Sequence, residues 1–364
     1  MTVLYTGVPS NIASPSSAPA AIIPVDGDPD NAATFSVSLS TLLDQVAFLL
    51  RAQQLQGLQN LTAAAGLTIV TNDSASDGAS VFVIAAGTGT TAHWFSSPDA
   101  KTWTARSGTL VANPVGIIWV QSLGLFIGLF GVVGGVASGV ETSPDGVTWT
   151  NRTVPVATGS GVTSGGQNVA FGTGIIVAAQ GSSQVMSSPD GINWTVRGAT
   201  QMAGQVVSVV VWSGSQFIAV SGTSQVYTSP DGLTWTSRGQ GGTSATAASS
   251  LSYNPRSGVT VLLNNSGANF ATTTDGITWT NRGALPAQPL RINYAAGRMV
   301  SIGTFNSIFV WMTSEDGITW TKGMAVSPQP ASAVNQVRFL ANDRAIIGVG
   351  SAPWAFVSNI SPLL

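Results

Sequence analysis

Ser143-Pro144-Asp145-Gly146-Val147-Thr148-Trp149 is one of six copies of a phrase that decides the fold of this chain. The others run from Ser97 to Trp103, Ser188 to Trp194, Ser229 to Trp235, Thr273 to Trp279 and Ser314 to Trp320, so that successive tryptophans fall 46, 45, 41, 44 and 41 residues apart. A period of about 40–50 residues is the length of a four-stranded blade in a stack around an axis, because one blade is a supersecondary unit that buries its faces only against its neighbours. The spacing therefore predicts a β-propeller.

In the clearest repeat, Val206–Trp212 reads as the inner strand, Gln216–Ser221 as the second, Gln225–Thr228 as the third and Leu233–Arg238 as the outer, with the phrase as the turn between third and fourth. Proline presets φ in that turn, aspartate accepts the turn's own amides and glycine takes the positive φ. The tryptophan is expected to point into the stack and to bury about 150–250 Å². Counting back from each phrase gives six units between residues 66 and 324. Val337–Leu340, Ala345–Val349 and Ala355–Val357 then read as three strands of a further unit that ends before any outer strand. An open ring would leave a sheet edge and an apolar face exposed. The expected fold is thus an all-β, seven-bladed propeller whose last sheet is completed by Thr2–Thr6; six blades with a C-terminal cap is the alternative.

Two domains are expected: residues 1–60 as an arm with one helix, and residues 61–364 as the propeller. Pro9, Pro15, Pro19, Pro24 and Pro29 forbid a long regular element near the N-terminus. From Leu39 the apolar residues recur at three and four, Thr41 to Asp44 has capping-box spacing, and helix formers run to about Gln56. The apolar face of this helix, Leu39, Leu42, Leu43, Val46, Phe48, Leu49 and Leu50, is too broad for solvent and calls for a cover, either the propeller's own surface or further copies of the chain.

Composition excludes several classes. Charged residues are 8% of the 364, the net charge is −2, and Lys101 and Lys322 are the only lysines, so no basic stripe offers itself to nucleic acid. Zero cysteines excludes disulfides and thiolate metal sites. The uncharged stretch from Ser107 to Val140 resembles a membrane span in hydropathy alone, but repeat alignment makes Leu125–Phe130 a second strand, and no membrane partner is expected. The first residues carry neither a basic nor an apolar signal region, so secretion is not expected.

The repeated phrase resembles the Asp-box (BNR) repeat of sialidase-like propellers in a shortened Ser-x-Asp-Gly-x-Thr-Trp form, over residues 66 to 358. The resemblance implies a structural role for Asp99, Trp103, Asp145, Trp149, Asp190, Trp194, Asp231, Trp235, Asp275, Trp279, Asp316 and Trp320, since such boxes sit at the blade periphery away from that family's active site. Departures are Ala100-Lys101 in the first copy, Asn193 in the third and Thr273-Thr274-Asp275 in the fifth. Arg106, Arg152, Arg197, Arg238 and Arg282 follow five of the tryptophans by three residues, with Lys322 in the sixth, and read as cations stacked on an adjacent blade or bonded to loop carbonyls.

Chemistry is scarce. A sialidase-like site needs an arginine cluster, a tyrosine with a glutamate, and an acid/base aspartate, but the only glutamates are Glu141 and Glu315, both in repeat positions, and the propeller's aspartates outside the boxes are Asp73, Asp77 and Asp343. His93, the single histidine, sits beside Trp94 in an expected loop without partners for a triad or a metal. Asp26, Asp28 and Asp30 alternate as a calcium loop opens, but Asn31 stands where glycine belongs and no glutamate follows at the twelfth position. No glycine-rich phosphate loop is present. The chain is read as a non-enzyme with no cofactor and no metal. Should the propeller take a ligand, the expected contacts are the aromatics Trp94, Tyr253, Tyr294 and Trp354, with Trp119, Trp212 and Trp311 assigned to the core.

The segment from Ile23 to Ala33, with Leu42 to Leu49 after it, looks like the short N-terminal module that opens some tailed-bacteriophage tail and fibre proteins. That likeness implies a virion structural protein assembled in the host cytoplasm, a homo-oligomer joined to other virion proteins through residues 1–60. Its head would be an adhesin for host-surface glycan or protein, or a passive decoration or tail component. The alternative is a free bacterial, non-enzymatic Asp-box propeller that binds a protein or glycan.

Overall fold

The computed structural model describes residues 55–60, 70–88, 91–98, 103–108, 114–131, 139–155, 167–242, 248–264, 269–295, 297–325, 334–340, 345–350 and 354–358. The chain divides into two compact units, Met1–Gln56 and Gly57–Leu364. The expected arm, the helix up to residue 54, Thr2–Thr6 and the Asp26 to Asp30 alternation lie outside the described residues.

Among the described residues, twenty-eight strands form seven four-stranded sheets. The first holds β2 (Val70–Ser76), β3 (Phe82–Thr88), β4 (Thr91–Ser97) and β5 (Thr104–Ser107); the second β6 (Pro114–Val120), β7 (Leu125–Phe130), β8 (Gly139–Ser143) and β9 (Thr150–Arg152). The third is β10 (Val169–Gly172), β11 (Ile175–Ser182), β12 (Gln184–Ser188) and β13 (Thr195–Arg197), and the fourth β14 (Val207–Trp212), β15 (Phe217–Ser221), β16 (Gln225–Ser229) and β17 (Thr236–Gln240). The fifth is β18 (Ala248–Asn254), β19 (Val259–Asn264), β20 (Asn269–Thr273) and β21 (Thr280–Ala284), and the sixth β22 (Gln288–Ala295), β23 (Arg298–Phe305), β24 (Ile308–Ser314) and β25 (Thr321–Ala325). In the seventh, β26 (Val334–Leu340), β27 (Ala345–Gly350) and β28 (Trp354–Ser358) are completed by β1 (Leu55–Asn60), in the order β1-β28-β27-β26. The first strands contact one another in cyclic order, β2 to β6, β10, β14, β18, β22 and β26, and β26 returns to β2.

The strand that completes the last sheet is therefore Leu55–Asn60 and not Thr2–Thr6. Residues 55 and 56, expected at the end of a helix, are extended because β28 offers them an unpaired edge, and backbone groups at such an edge take the nearest chain that can reach them. The apolar stretch Leu125–Phe130 is the second strand of its sheet, buried except at Leu125 and paired on both edges. No described helix is long and apolar enough to cross a membrane.

Cores lie between successive sheets, and the box tryptophans belong to them. Trp149 packs with Val83, Ala85 and Trp94 of the first sheet, and Trp235 with Val177, Ala179 and Val185 of the third. Trp103, Trp149, Trp194 and Trp235 are buried, while Trp279 and Trp320 are half-buried against the sheet before them. The turn has the expected chemistry. Asp231 Oδ1 accepts the amides of Leu233 and Thr234 at 2.9 Å each, and the Ser229 hydroxyl donates to the same oxygen at 3.0 Å. Gly232 has φ +72°, and a Cβ there would lie 2.8 Å from Val177 Cγ2 of the preceding sheet, so this glycine is required for both conformation and approach.

The arginines that follow the boxes stay within their own sheet, contrary to expectation. Nε of Arg106, Arg152, Arg197, Arg238 and Arg282 donates to the hydroxyl of Ser96, Thr142, Ser187, Thr228 and Thr272 at 2.9, 2.9, 3.1, 2.8 and 2.9 Å. Each acceptor stands on the third strand just before the box, so a cross-strand rung forms where fourth and third strands pair. Lys322 lacks Nε and instead holds Nζ 3.4 Å over the Phe305 ring.

Candidate functional site

The register of the first strands builds the site. In six of them pairing shifts by one residue, between Thr71 and Asp73, Pro114 and Gly116, Val207 and Val209, Ala248 and Ser250, Pro289 and Arg291, and Val334 and Gln336. Such a bulge turns the strand and frees edge groups for other partners. The inward amides are met by polar groups of neighbouring strands: Asp73 Oδ2 accepts Ile117 N at 2.9 Å, and Ser250 Oγ accepts Ile292 N at 3.0 Å. Gln167 spans furthest. Its carbonyl accepts Val210 N at 2.8 Å, its Oε1 accepts Leu251 N at 2.7 Å and the Ser250 hydroxyl at 2.8 Å, and its Nε2 donates to Ile292 O at 2.6 Å. One residue at the start of the third sheet thus ties together the first strands of the fourth, through its backbone carbonyl, and of the fifth and sixth, through its side chain.

Three residues beyond the bulge the first strands carry aromatic rings. Trp119, Tyr253 and Tyr294 stand three positions after Gly116, Ser250 and Arg291, and Trp212 three after Val209; by the same pairing Phe171 holds this place in β10. All five are half-buried. Phe171, Trp212, Tyr253 and Tyr294, from four consecutive sheets, line a cavity of about 360 Å³ that also includes Ser252, Asn293 and Gln167. The lining contains no Asp, Glu, Lys, Arg or His. Trp212 reaches this position because Gly172 is beneath it: a Cβ there would come within 2.1 Å of the indole.

First strands run toward the turns that join them to second strands, so the cavity opens at the same end as the box turns. Contacts between those turns fix this rim: Gln216 Nε2 donates to Asp275 O at 2.6 Å, Asn254 Nδ2 to Glu315 O at 2.7 Å and Ser257 Oγ to Asp316 O at 2.9 Å.

Of the sequence-derived contacts, Tyr253 and Tyr294 come together in this cavity. Trp94 does not. It lies in β4 and is fully buried, stacked on Trp149 at 4.0 Å with 10° between the planes, edge-on to Phe130 at 5.4 Å, and its Nε1 donates to Glu141 Oε2 at 2.8 Å. A buried acceptor 47 residues away and the bare surface of Gly128, where a Cβ would sit 2.2 Å from the ring, draw it into the core. Trp354 is in β28 opposite Gly348, with its side chain outside the described set. His93 is in β4, paired with Ala86 and Ser107, rather than in a loop. Trp311 is core as expected, and Trp119 and Trp212, each half-buried, pack against the cores between sheets while Trp212 also lines the cavity. The signal for Trp212 was its spacing: Phe171, Trp212, Tyr253 and Tyr294 follow one another at 41 residues, in strands that otherwise read simply as core.

The described aspartates and Glu141 are engaged in structure, whereas Glu315 is exposed. Asp73 and Glu141 are buried, Asp73 holding Ser74 N and Ile117 N. Asp77 accepts the amides of Ala79, Ser80 and Val81 in a turn, at 2.8–2.9 Å. Burial pushes the Arg291 guanidinium down to about 10, and the Asp73 carboxylate opposes that shift, so Arg291 stays charged at neutral pH. Among the described residues no three His, Cys, Asp or Glu side chains gather as a metal ion would need.

Residues 143–293 match the model of the DUF6242 beta propeller domain. No curated protein matches the chain. Among solved structures, YCF48 bound to D1 peptide is 17% identical with a TM-score of 0.59, over 82% of this chain and 94% of that one. YCF48 from Cyanidioschyzon merolae is 14% identical with a TM-score of 0.57, over 80% and 96%. The GH74 xyloglucanase from Xanthomonas campestris is 12% identical with a TM-score of 0.61, over 80% of this chain but 53% of that one. At such identities the likeness speaks to fold, and with the cyclic order of the first strands it makes this chain a β-propeller.

Proposed function

We propose that this chain is a non-catalytic recognition propeller, serving as a structural component of a tailed-bacteriophage virion and mounted by the segment before its first strand. The observation that carries the recognition part is the uncharged aromatic cavity at the axial mouth, in a molecule whose described aspartates and Glu141 are committed to turns and sheets. A mouth built on rigid strands is where propellers have free surface, because the sheet faces are used up in stacking. The box turns, with aspartate accepting two turn amides and glycine at positive φ, fit the Asp-box repeat. The mounting part rests on the sequence: the resemblance of Ile23 to Ala33 and Leu42 to Leu49 to phage tail modules, and the broad apolar face that would be covered by other copies or by virion proteins. Xyloglucanase and a putative 6-phosphogluconolactonase share the fold, so fold alone does not make the chain a non-enzyme.

A second reading, a free propeller that captures a protein segment, is favoured by the likeness to YCF48, one structure of which is bound to D1 peptide. Fractionating a lysate of cells producing the chain and its source phage on a density gradient separates the two. Co-sedimentation of the full chain with intact particles supports the virion reading; recovery only in the unassembled fraction, while particles form normally, supports the free propeller.

A further inference from the structure

We infer that the axial cavity binds the uncharged terminal sugar rings of a glycan, laid against Trp212, Tyr253 and Tyr294. This rests on the reading of the chain as a recognition propeller and adds the ligand class and the residues. A pyranose presents an apolar, C–H-rich face and a rim of hydroxyls. The negative face of an aromatic ring attracts the first, and hydroxyl or amide groups pair with the second. The cavity supplies both: rings from consecutive sheets, two of them phenols, with Ser252 and Asn293 beside them. Its volume of about 360 Å³ falls at the lower end of small-ligand pockets (about 300–1,000 Å³), which suits the end of an oligosaccharide and not a folded partner.

Charge selects the sugar. With no Asp, Glu, Lys, Arg or His in the lining, nothing there compensates the desolvation of a carboxylate, sulfate or ammonium group, so acidic and amino sugars are disfavoured. An extended peptide is disfavoured for a different reason. Peptides add to a sheet through unpaired edge amides, whereas the inward amides of Val210, Leu251 and Ile292 already have acceptors in Gln167 and Ser250. The rings are also well supported, Trp212 tilted on Phe217 at 4.8 Å and Tyr253 with its hydroxyl against Gly214, so little ordering is left for binding to impose.

The test titrates the full-length protein calorimetrically with neutral gluco-, galacto-, manno- and rhamno-oligosaccharides, alongside sialyl-lactose and an unrelated hydrophobic peptide. Binding of at least one neutral oligosaccharide is expected, with an affinity unchanged between low and high salt because no charge pair forms. Tyr253→Ala with Tyr294→Ala should weaken it by about tenfold or more, while Tyr253→Phe with Tyr294→Phe, which keeps both rings, should lose less. A melting temperature equal to wild type for the phenylalanine pair guards against simple misfolding. Absence of binding to every neutral sugar at millimolar concentration overturns the inference, as does binding that the alanine pair leaves unchanged or a clear preference for sialyl-lactose or the peptide. Adhesion of the full-length protein to host cells, measured in parallel, distinguishes the two levels. Adhesion that survives the alanine pair defeats the sugar site alone, whereas no adhesion and no ligand defeat the recognition reading as well.

Discussion

Asp190 and Asp275 sit in equivalent turns and behave alike as acids. In Asp190 partial burial raises the carboxyl, but the amides of Asn193 and Ile192 and the Asn193 side chain outweigh it and hold it at about 2. In Asp275 the amide of Ile277 lowers it first, burial opposes, and the amide of Thr278 brings it to about 2. An unfolded aspartate titrates near about 3.9. Because the folded value is depressed, the turns contribute stability that is complete above about pH 4 and is lost as pH falls toward about 2. The melting temperature should accordingly be flat near neutrality and drop between those values, and Asp275→Asn should reduce the drop. A steeper loss between pH 5 and 8 would contradict this assignment. Trp235→Ala should cost about 3–5 kcal/mol by leaving a cavity between two rigid sheets, and Asp231→Ala about 1–2 kcal/mol through lost turn hydrogen bonds, both read from denaturant midpoints. Gly232→Ala should cost about 1–3 kcal/mol, since it forces a side chain into the left-handed region and against Val177. At this scale the turns at Asp145, Asp190, Asp231, Asp275 and Asp316 were legible, because their chemistry is local, while Asp99 lies outside the described residues. Trp94 was not: its place is decided by Glu141, Gly128 and Trp149, which reach it only through the stacking of the first two sheets.

Strands and sheets were legible to the extent that they repeat. In the fourth sheet the sequence boundaries fall within a few residues of β14 to β17, and the three strands expected after Gln336 are β26, β27 and β28. The closing strand was not legible, because Leu55-Gln56-Gly57-Leu58-Gln59-Asn60 has no alternating pattern and becomes a strand only where β28 presents an edge. The consequence can be measured. Removing residues 1–54 should leave the denaturation midpoint of the propeller intact, whereas removing 1–60 strips β1 from β28, lowers the midpoint and exposes an edge that promotes aggregation. Equal midpoints for the two truncations would show that β1 does not close the ring. The aromatic positions of the first strands were half legible: Tyr253 and Tyr294 stood out as polar-tipped rings, while Trp212 and Phe171 hid among apolar neighbours until register placed them at one level.

The molecule as a whole divides into two units, and in the proposed reading the first mounts the second. Residues from Leu55 onward include seven four-stranded sheets held by inter-sheet tryptophans, box turns and the Gln167 belt. The N-terminal 54 residues have a different composition, five prolines followed by a broad apolar face, which suits attachment and self-association. Burying that face is worth about 1.5–3 kcal/mol per large side chain, enough to hold copies together. The measurement that tests this most directly is sedimentation of the full-length chain beside residues 55–364, together with an assay of their incorporation into particles. The account predicts an oligomeric, particle-bound full-length protein and a folded, monomeric truncation that stays in solution. A monomeric full-length chain, with a truncation that still enters particles, would contradict it.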